Sequence, residues 1–207
     1  AHDGPVTGLE FCTRDGHEAL ISVGADRRVV EYDIGASSVI NGVLVADVVP
    51  VQLDLTAKPT AVLPVPPSSA DAEEKFLVAS DEFKLKEFNI ESKQCRKTTV
   101  APTYGGPPTR MLPIYSPEGG MSHYAYSTAS KVIGVGQLPV TGNPTHMMGI
   151  VAHPSHITCI ATSHDGAFLF SAGGADLSVN MWAIDTSELQ EAARQAPEQE
   201  MDAFLSL

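Results

Sequence analysis

Two sets of side chains in this sequence have the composition of a hydrolytic triad. They are His153, Ser171 and Asp176 near the end of the chain, and His2, Ser22 and Asp26 near its start. In a hydrolase, the histidine accepts the serine proton while the carboxylate orients the imidazole. An active site is normally used once per domain, so the recurrence favours a structural hydrogen-bond network. A hydrolase that uses His153 and Ser171 stays the catalytic alternative.

Both sets lie within an internal repeat. The histidine and the aspartate are 24 residues apart in the first copy and 23 in the second. In both copies, an aromatic residue follows the aspartate after six positions, as Tyr32 and Trp182. Apolar runs and Asp-Gly turn pairs predict three short antiparallel strands per copy, joined by tight hairpins. The predicted strands are Val6–Phe11, Ala19–Val23, Arg28–Asp33, Ile157–Ala161, Ala167–Ala172 and Ser178–Asp185.

Both copies resemble the WD40 repeat, which couples a Gly-His loop to a Trp-Asp end at a period of 40 to 45 residues. Here alanine precedes each histidine, and the ends are Tyr-Asp and Trp-Ala-Ile-Asp. The resemblance implies an all-β WD40 β-propeller. It also implies a structural hydrogen-bond tetrad in each copy, with a phenol replacing the indole in the first. The tetrads would be His153, Ser171, Asp176 and Trp182, and His2, Ser22, Asp26 and Tyr32.

The interval between the two copies leaves room for two further blades. Their predicted strands are Thr60–Val65, Phe76–Ser80, Phe83–Asn89, Arg110–Ile114, Ser122–Ser127 and Lys131–Gly136. We therefore expect about four blades, at 1–47, 48–100, 101–145 and 146–185, followed by an acidic helical extension at 186–207. The last copy has no outer strand and the first has a bare edge. We expect the C-terminal part of a larger, seven-bladed ring; a self-closed ring of four blades is the alternative.

The extension begins with a capping-box pattern at Ser187 and Gln190. Its first helix should end near Pro197, and three apolar residues then share one face of a second helix. These residues are Met201, Phe204 and Leu205. They could fold back on the propeller or bind a partner helix.

The overall charge excludes several classes of protein. There are 13 Lys and Arg residues against 25 Asp and Glu residues, a net charge of −12. This balance argues against nucleic acid and anionic lipid as partners. The sequence contains no run of about 18 apolar residues and no signal peptide at its start. Three scattered cysteines, isolated histidines and the lack of a phosphate-binding loop predict no metal, no cofactor and no enzyme activity.

Basic residues concentrate in the second predicted blade. They are Lys84, Lys86, Lys93, Arg96 and Lys97. The plain interpretation is a solvated strand edge. The sharper hypothesis is a basic rim that binds an acidic partner.

The last blade and the tail are similar to WD-repeat subunits of the calmodulin- and spoke-associated complex. This resemblance implies a non-catalytic scaffold in the axoneme of the motile cilium, at the radial spoke base on doublet microtubules, that supports ciliary motility. It implies other subunits of that complex and radial spoke proteins as partners, with calmodulin and tubulin as further candidates. The alternative is a cytosolic WD40 adaptor, such as a ubiquitin-ligase substrate receptor or a trafficking subunit.

Overall fold

The computed structural model describes residues 2–14, 16–46, 51–67, 73–116 and 120–195, with side chains up to residue 191. The chain divides into two compact units, Ala1–Thr98 and Thr99–Leu207. Strands dominate both units, as the sequence predicts. The strands are β1 (Val6–Arg14), β2 (His17–Gly24), β3 (Arg28–Ser38), β4 (Gly42–Val45), β5 (Val51–Gln52), β6 (Pro59–Val65), β7 (Lys75–Ser80), β8 (Lys84–Asn89), β9 (Cys95–Val100), β10 (Pro108–Tyr115), β11 (Met121–Thr128), β12 (Val132–Gln137), β13 (Met147–Val151), β14 (Ile157–Thr162), β15 (Phe168–Gly173) and β16 (Val179–Ala183).

The first unit contains two antiparallel sheets. Sheet 1 has the order β1-β2-β3-β4, with the short β5 also paired to β3, and sheet 2 has the order β6-β7-β8-β9. Alternating side chains from both sheets form one apolar core, which includes Ile21, Val29, Phe76 and Phe88. The rings of Phe76 and Phe88 stack with their centroids 5.3 Å apart. Sheet 1 therefore packs face to face on sheet 2, as expected from the alternation of apolar and polar residues along their strands.

The second unit repeats this plan with one difference. Sheet 3 has the order β10-β11-β12-β13, whereas sheet 4 has only three strands, β14-β15-β16, among the described residues. Ala125, Ile133, Ile160 and Leu169 belong to the core cluster that the two sheets share. After β16 the chain continues into a helix, and no outer strand of sheet 4 lies among the described residues.

All twelve predicted strands are confirmed. Ten have ends within two residues of the prediction, whereas β1 and β3 extend three and five residues further, to Arg14 and Ser38. The predicted Asp-Gly hairpins differ from each other. Arg14 pairs directly with His17, so two residues connect β1 and β2, as predicted for a tight hairpin. The second turn is wider and runs through residues 163–167, because the Asp165 carboxylate accepts hydrogen bonds from the Ser163 hydroxyl and the Ala167 amide.

Helix α1 (Ser187–Gln195) confirms the predicted start of the tail. The N-terminal cap differs from the prediction. The Gln190 side chain donates a hydrogen bond to the Thr186 hydroxyl, and the Ser187 amide donates one to the Asp185 carboxylate. Leu189 is buried in the core of the second unit. Pro197 and the predicted second helix lie outside the described residues. No helix among the described residues is long and apolar enough to cross a membrane.

Candidate functional site

The four predicted tetrad residues of sheet 4 lie together. His153 Nδ1 is 2.8 Å from the Asp176 carboxylate, and His153 Nε2 is 2.8 Å from Ser171 Oγ. Trp182 Nε1 donates to the same Ser171 oxygen at 2.9 Å. Ser178, which the sequence analysis did not single out, donates to Asp176 at 2.8 Å. The network therefore joins the loop before β14 to β15, to the following turn and to β16.

The protonation pattern of this network follows from its donors and acceptors. Hydrogen bonds from His153 and Ser178 hold the pKa of Asp176 below its usual value, so the carboxylate only accepts. His153 Nδ1 therefore carries a proton. The Trp182 indole can only donate, and an imidazole that carries its single proton on Nδ1 would accept the Ser171 hydroxyl proton at Nε2. These are the same hydrogen-bond directions as in a hydrolytic triad.

Burial distinguishes this arrangement from a catalytic centre. Ser171 is fully buried, and His153 is 1% exposed. The Trp182 indole also occupies one acceptor position of the serine oxygen. A nucleophile must reach the carbon that it attacks, and here Ser171 Oγ contacts its own blade. The geometry favours the structural role.

Sheet 1 contains the second network. His2 Nδ1 lies 2.9 Å from Asp26 Oδ1, and His2 Nε2 lies 2.8 Å from Ser22 Oγ. The Tyr32 hydroxyl is 3.3 Å from the same serine oxygen. Burial raises the pKa of Asp26, but hydrogen bonds from His2 and from the Asp3 and Arg28 amides outweigh it and lower the pKa. The phenol thus occupies the place of the indole at a longer distance.

Both networks need a glycine that the sequence analysis did not single out. Gly24 and Gly173 end β2 and β15 beside the histidine rings. A Cβ atom on Gly24 would overlap His2 and Asp26, and one on Gly173 would overlap His153 and Asp176. The sequence signal was a glycine two residues after each network serine.

A threonine in every first strand is a second feature that the sequence analysis missed. The register of each first strand shifts at this residue, which is a β-bulge. Where described, its hydroxyl lies within hydrogen-bond distance of a carbonyl of the second strand, at 3.2 Å for Thr7, 3.4 Å for Thr109 and 3.0 Å for Thr158. The Thr7 hydroxyl is also 2.8 Å from the Pro59 carbonyl of sheet 2. The four positions are Thr7, Thr60, Thr109 and Thr158. Their spacing of about 50 residues was the available signal.

Sheets 2 and 3 have other residues at the position where sheets 1 and 4 have the network serine. Strand register places Val78 of sheet 2 and Tyr126 of sheet 3 at the position of Ser22. Tyr126 lies opposite Gly134 and donates to the Met148 carbonyl at 3.0 Å. Burial raises the pKa of Tyr126 to about 12. A large side chain over a glycine thus fills the space of the network in sheet 3.

The structure separates the five basic residues of the candidate rim. Lys93 is buried, and its ammonium bonds the buried Glu31 carboxylate, which Arg14 also binds at 2.9 Å. This corrects the expected surface position of Lys93: the partner is 62 residues away in sequence, in sheet 1. Lys97 is exposed. The other three pair with acidic side chains: Lys84 with Glu82, Lys86 with Asp54, and Arg96 with Glu73. A basic rim for partners thus retains little uncompensated charge.

The remaining predicted binding residues, Met201, Phe204 and Leu205, lie outside the described residues. Within the described part of the chain, no group of three or more His, Cys, Asp or Glu side chains could hold a metal ion. His123 is buried, and this burial lowers its pKa. His123 therefore lies in the sheet 3 interior.

Sequence comparisons agree with this architecture. The family model "WD domain, G-beta repeat" matches residues 143–183. Cilia- and flagella-associated protein 251 of Tetrahymena thermophila is 32% identical over 83% of the chain, and its Mus musculus relative is 34% identical over 93%. The chain spans 19% and 15% of the length of these two proteins.

Solved structures support the fold alone. A chain of the humanized mutant Polycomb Repressive Complex 2 of Chaetomium thermophilum matches with a TM-score of 0.64 and 16% identity, over 86% of this chain and 38% of that one. The computationally designed Ika4 protein matches with a TM-score of 0.56 and 16% identity, over 89% of this chain and 94% of that one. With the four sheets, the repeat match and the sequence similarity together, the chain is a WD40-repeat β-propeller protein that resembles cilia- and flagella-associated protein 251.

Proposed function

We propose that the chain is part of a non-catalytic scaffold in the axoneme of the motile cilium. Its place would be the radial spoke base on doublet microtubules, where it would support ciliary motility. The observation that carries this proposal is the similarity to cilia- and flagella-associated protein 251 from a ciliate and a mammal across most of the chain. The proposed partners are other subunits of the calmodulin- and spoke-associated complex and radial spoke proteins, with calmodulin and tubulin as further candidates.

The proposed non-catalytic role is supported by the two buried networks. Ser22 and Ser171 are at most 1% exposed, and each is already bonded within its own blade. Rigid β-sheets that bury their polar groups in this way are suited to present surfaces to other proteins. We therefore assign both tetrads to blade stability and none of their members to catalysis.

We also propose that the chain is the C-terminal part of a larger, seven-bladed ring. The two sheets within each unit bury a shared core, but each unit also exposes apolar side chains from a sheet. In sheet 1, Leu9 and Phe11 are 54% and 71% exposed, and in sheet 4, Val179 and Met181 are 72% and 64% exposed. Further blades from the same polypeptide would cover these faces. The much greater length of the relatives is consistent with this arrangement.

A replacement experiment in Tetrahymena tests the proposed function. In a strain lacking its cilia- and flagella-associated protein 251, the aligned segment of that protein would be replaced by residues 1–207 of this chain. We expect the chimera to remain on detergent-extracted axonemes, to be released by salt, and to restore swimming speed. The unmodified protein and a version without the segment are the two controls. A stable chimera that stays in the cell body would contradict the proposal and favour the cytosolic adaptor.

A further inference from the structure

The outer hairpin of sheet 1, residues 33–46, is unusually apolar for an exposed element. Val39 and Ile40 at its tip are 104% and 94% exposed, and Val43 is 64% exposed. All four residues of β4 are exposed. The equivalent outer strand of sheet 2, β9, has the sequence Cys-Arg-Lys-Thr-Thr-Val, which suits contact with water. Val39 and Ile40 are more exposed than Val100, the exposed aliphatic residue of β9, which is 51% exposed. Neighbouring aliphatic side chains as exposed as those of the hairpin indicate a surface that another molecule covers.

The hairpin is held in a defined conformation by its own hydrogen bonds. The Ala36 amide donates to Asp33 Oδ1 at 2.9 Å, and the Leu44 amide donates to Ser37 Oγ at 2.9 Å. At the tip, the Asn41 amide donates to Ser38 Oγ at 3.0 Å. An apolar tip that is ordered before binding loses little conformational entropy when a partner docks.

A groove of about 740 Å³ lies beside this hairpin, between it and the β1–β2 turn. Its small residues leave room for a close approach of another backbone. They are Gly16, Ala19, Gly35, Ala36 and Ala46. The volume is in the range of small-molecule pockets, about 300–1,000 Å³. The groove therefore has room for apolar side chains of a partner segment.

The charges that line the groove favour a positively charged partner. Glu18, Glu31 and Asp33 line it, against one guanidinium, that of Arg14, and the imidazole of His17. Glu31 is already bonded to Arg14 and Lys93. Glu18 and Asp33 are exposed, and neither forms an ion pair with another described residue. Two uncompensated carboxylates next to aliphatic side chains favour a partner that carries lysine or arginine beside its apolar face.

We propose that this groove and the outer hairpin dock a basic amphipathic helix of a partner protein. The proposal deepens the scaffold function and rests on it, since it names the kind of segment that the scaffold would hold. The apolar face of the helix would cover Ile40 and Val43, and its basic flank would lie along Glu18 and Asp33. This mode of recognition is a helix laid into a groove, read by residues three and four positions apart.

A peptide titration tests the docking surface in solution. The probe is a labelled helical peptide of about 18 residues, roughly five turns, with leucine on one face and lysine on both flanks. Its control has glutamate in place of every lysine. Fluorescence anisotropy with the full chain should show binding of the lysine peptide only. Ile40→Asp should weaken that binding at least about tenfold, whereas Leu177→Asp, at a position 91% exposed in the β15–β16 turn, should leave it unchanged.

A second pair of variants separates local from overall charge. Glu18→Lys should weaken binding of the lysine peptide, while Glu188→Lys, an equal change of charge at an exposed position of α1, should not. Equal losses from both charge variants would mean attraction to the whole acidic chain and would overturn the proposal. So would equal binding by Ile40→Asp and Leu177→Asp. Unchanged thermal unfolding of the variants confirms that they fold. Peptide binding without ciliary rescue would remove only the proposed function, and rescue without peptide binding would remove only this docking surface.

Discussion

Trp182 donates its indole hydrogen bond to Ser171 Oγ at 2.9 Å, and this oxygen also lies 2.8 Å from His153 Nε2. One hydroxyl therefore serves a donor and an acceptor at the same time. Ser22 has the same position in sheet 1, but its aromatic partner, the Tyr32 hydroxyl, is 3.3 Å away. The network in sheet 4 is the more tightly connected of the two.

Replacing Ser171 should destabilise the chain. In Ser171→Ala, His153 and Trp182 each lose a partner, and a buried polar group left unpaired costs about 1–3 kcal/mol. Urea unfolding followed by Trp182 fluorescence measures the loss in the free energy of unfolding. Ser130→Ala, at an exposed turn, is the matched control and should change little. An unchanged unfolding midpoint for Ser171→Ala would show that the network does not stabilise the blade.

A methyl group at Gly173 should also destabilise sheet 4. The new Cβ would overlap the Asp176 carboxylate and the His153 ring. Overpacking of this kind costs about 1–3 kcal/mol. In Gly35→Ala the nearest heavy atom is Asp33 Oδ1 at 3.5 Å, an ordinary contact, so that variant should have near-normal stability. Equal melting temperatures for the two variants would contradict the tight fit at Gly173.

Two lysines four residues apart should respond differently to the same substitution. Lys93→Met removes a cation from the buried Glu31 carboxylate, where side-chain exposure is 3% for both residues. Breaking a buried ion pair costs about 3 kcal/mol. Lys97→Met acts on an exposed side chain and should stay within about 0.5 kcal/mol of wild type. Denaturant unfolding of the two variants measures both values, and similar losses would contradict the burial of Lys93.

The Asp54–Lys86 pair should make stability depend on pH at the acidic end. Burial raises the pKa of Asp54, but hydrogen bonds from Lys86 and from the Thr56 and Ala57 amides outweigh it and lower the pKa from 3.8 to about 2. A depressed pKa contributes stability that is fully present above pH 4 and is lost as pH falls from about 4 towards 2. Titration of the Asp54 carboxyl carbon by NMR measures this pKa. Lys86→Met should return the midpoint towards 3.8, and a midpoint near 3.8 in the wild type would contradict the pairing.

Strands that line the core could be predicted because burial constrains their sequences. Ala19–Val23 and Phe76–Ser80 are apolar runs between turn residues, and both form strands. The outer strands β4, β9 and β13 were missed because most of their residues are exposed to solvent and carry no alternation imposed by a core. A strand on which nothing packs has no alternation of apolar and polar residues from which its pairing could be predicted.

The two histidine networks were predictable because their spacing repeats. The position of Lys93 was not predictable, since its partner Glu31 is brought close by the packing of two sheets and not by any local pattern. Tyr126 was missed for a related reason: it fills the space of the serine network with an aromatic ring over Gly134. A search for the same residue types cannot find a position where different residues occupy the same space.

The threonine bulges fix the register with which the first strand of each blade begins. Thr60, Thr109 and Thr158 are separated by 49 residues in both intervals. Loops between strands can therefore lengthen or shorten during evolution without turning an inward-facing side chain outward, because the next threonine resets the pattern. By the same logic, blades could be exchanged as cassettes cut from one threonine to the next, which makes these positions natural joints for recombination and for engineering chimeric propellers.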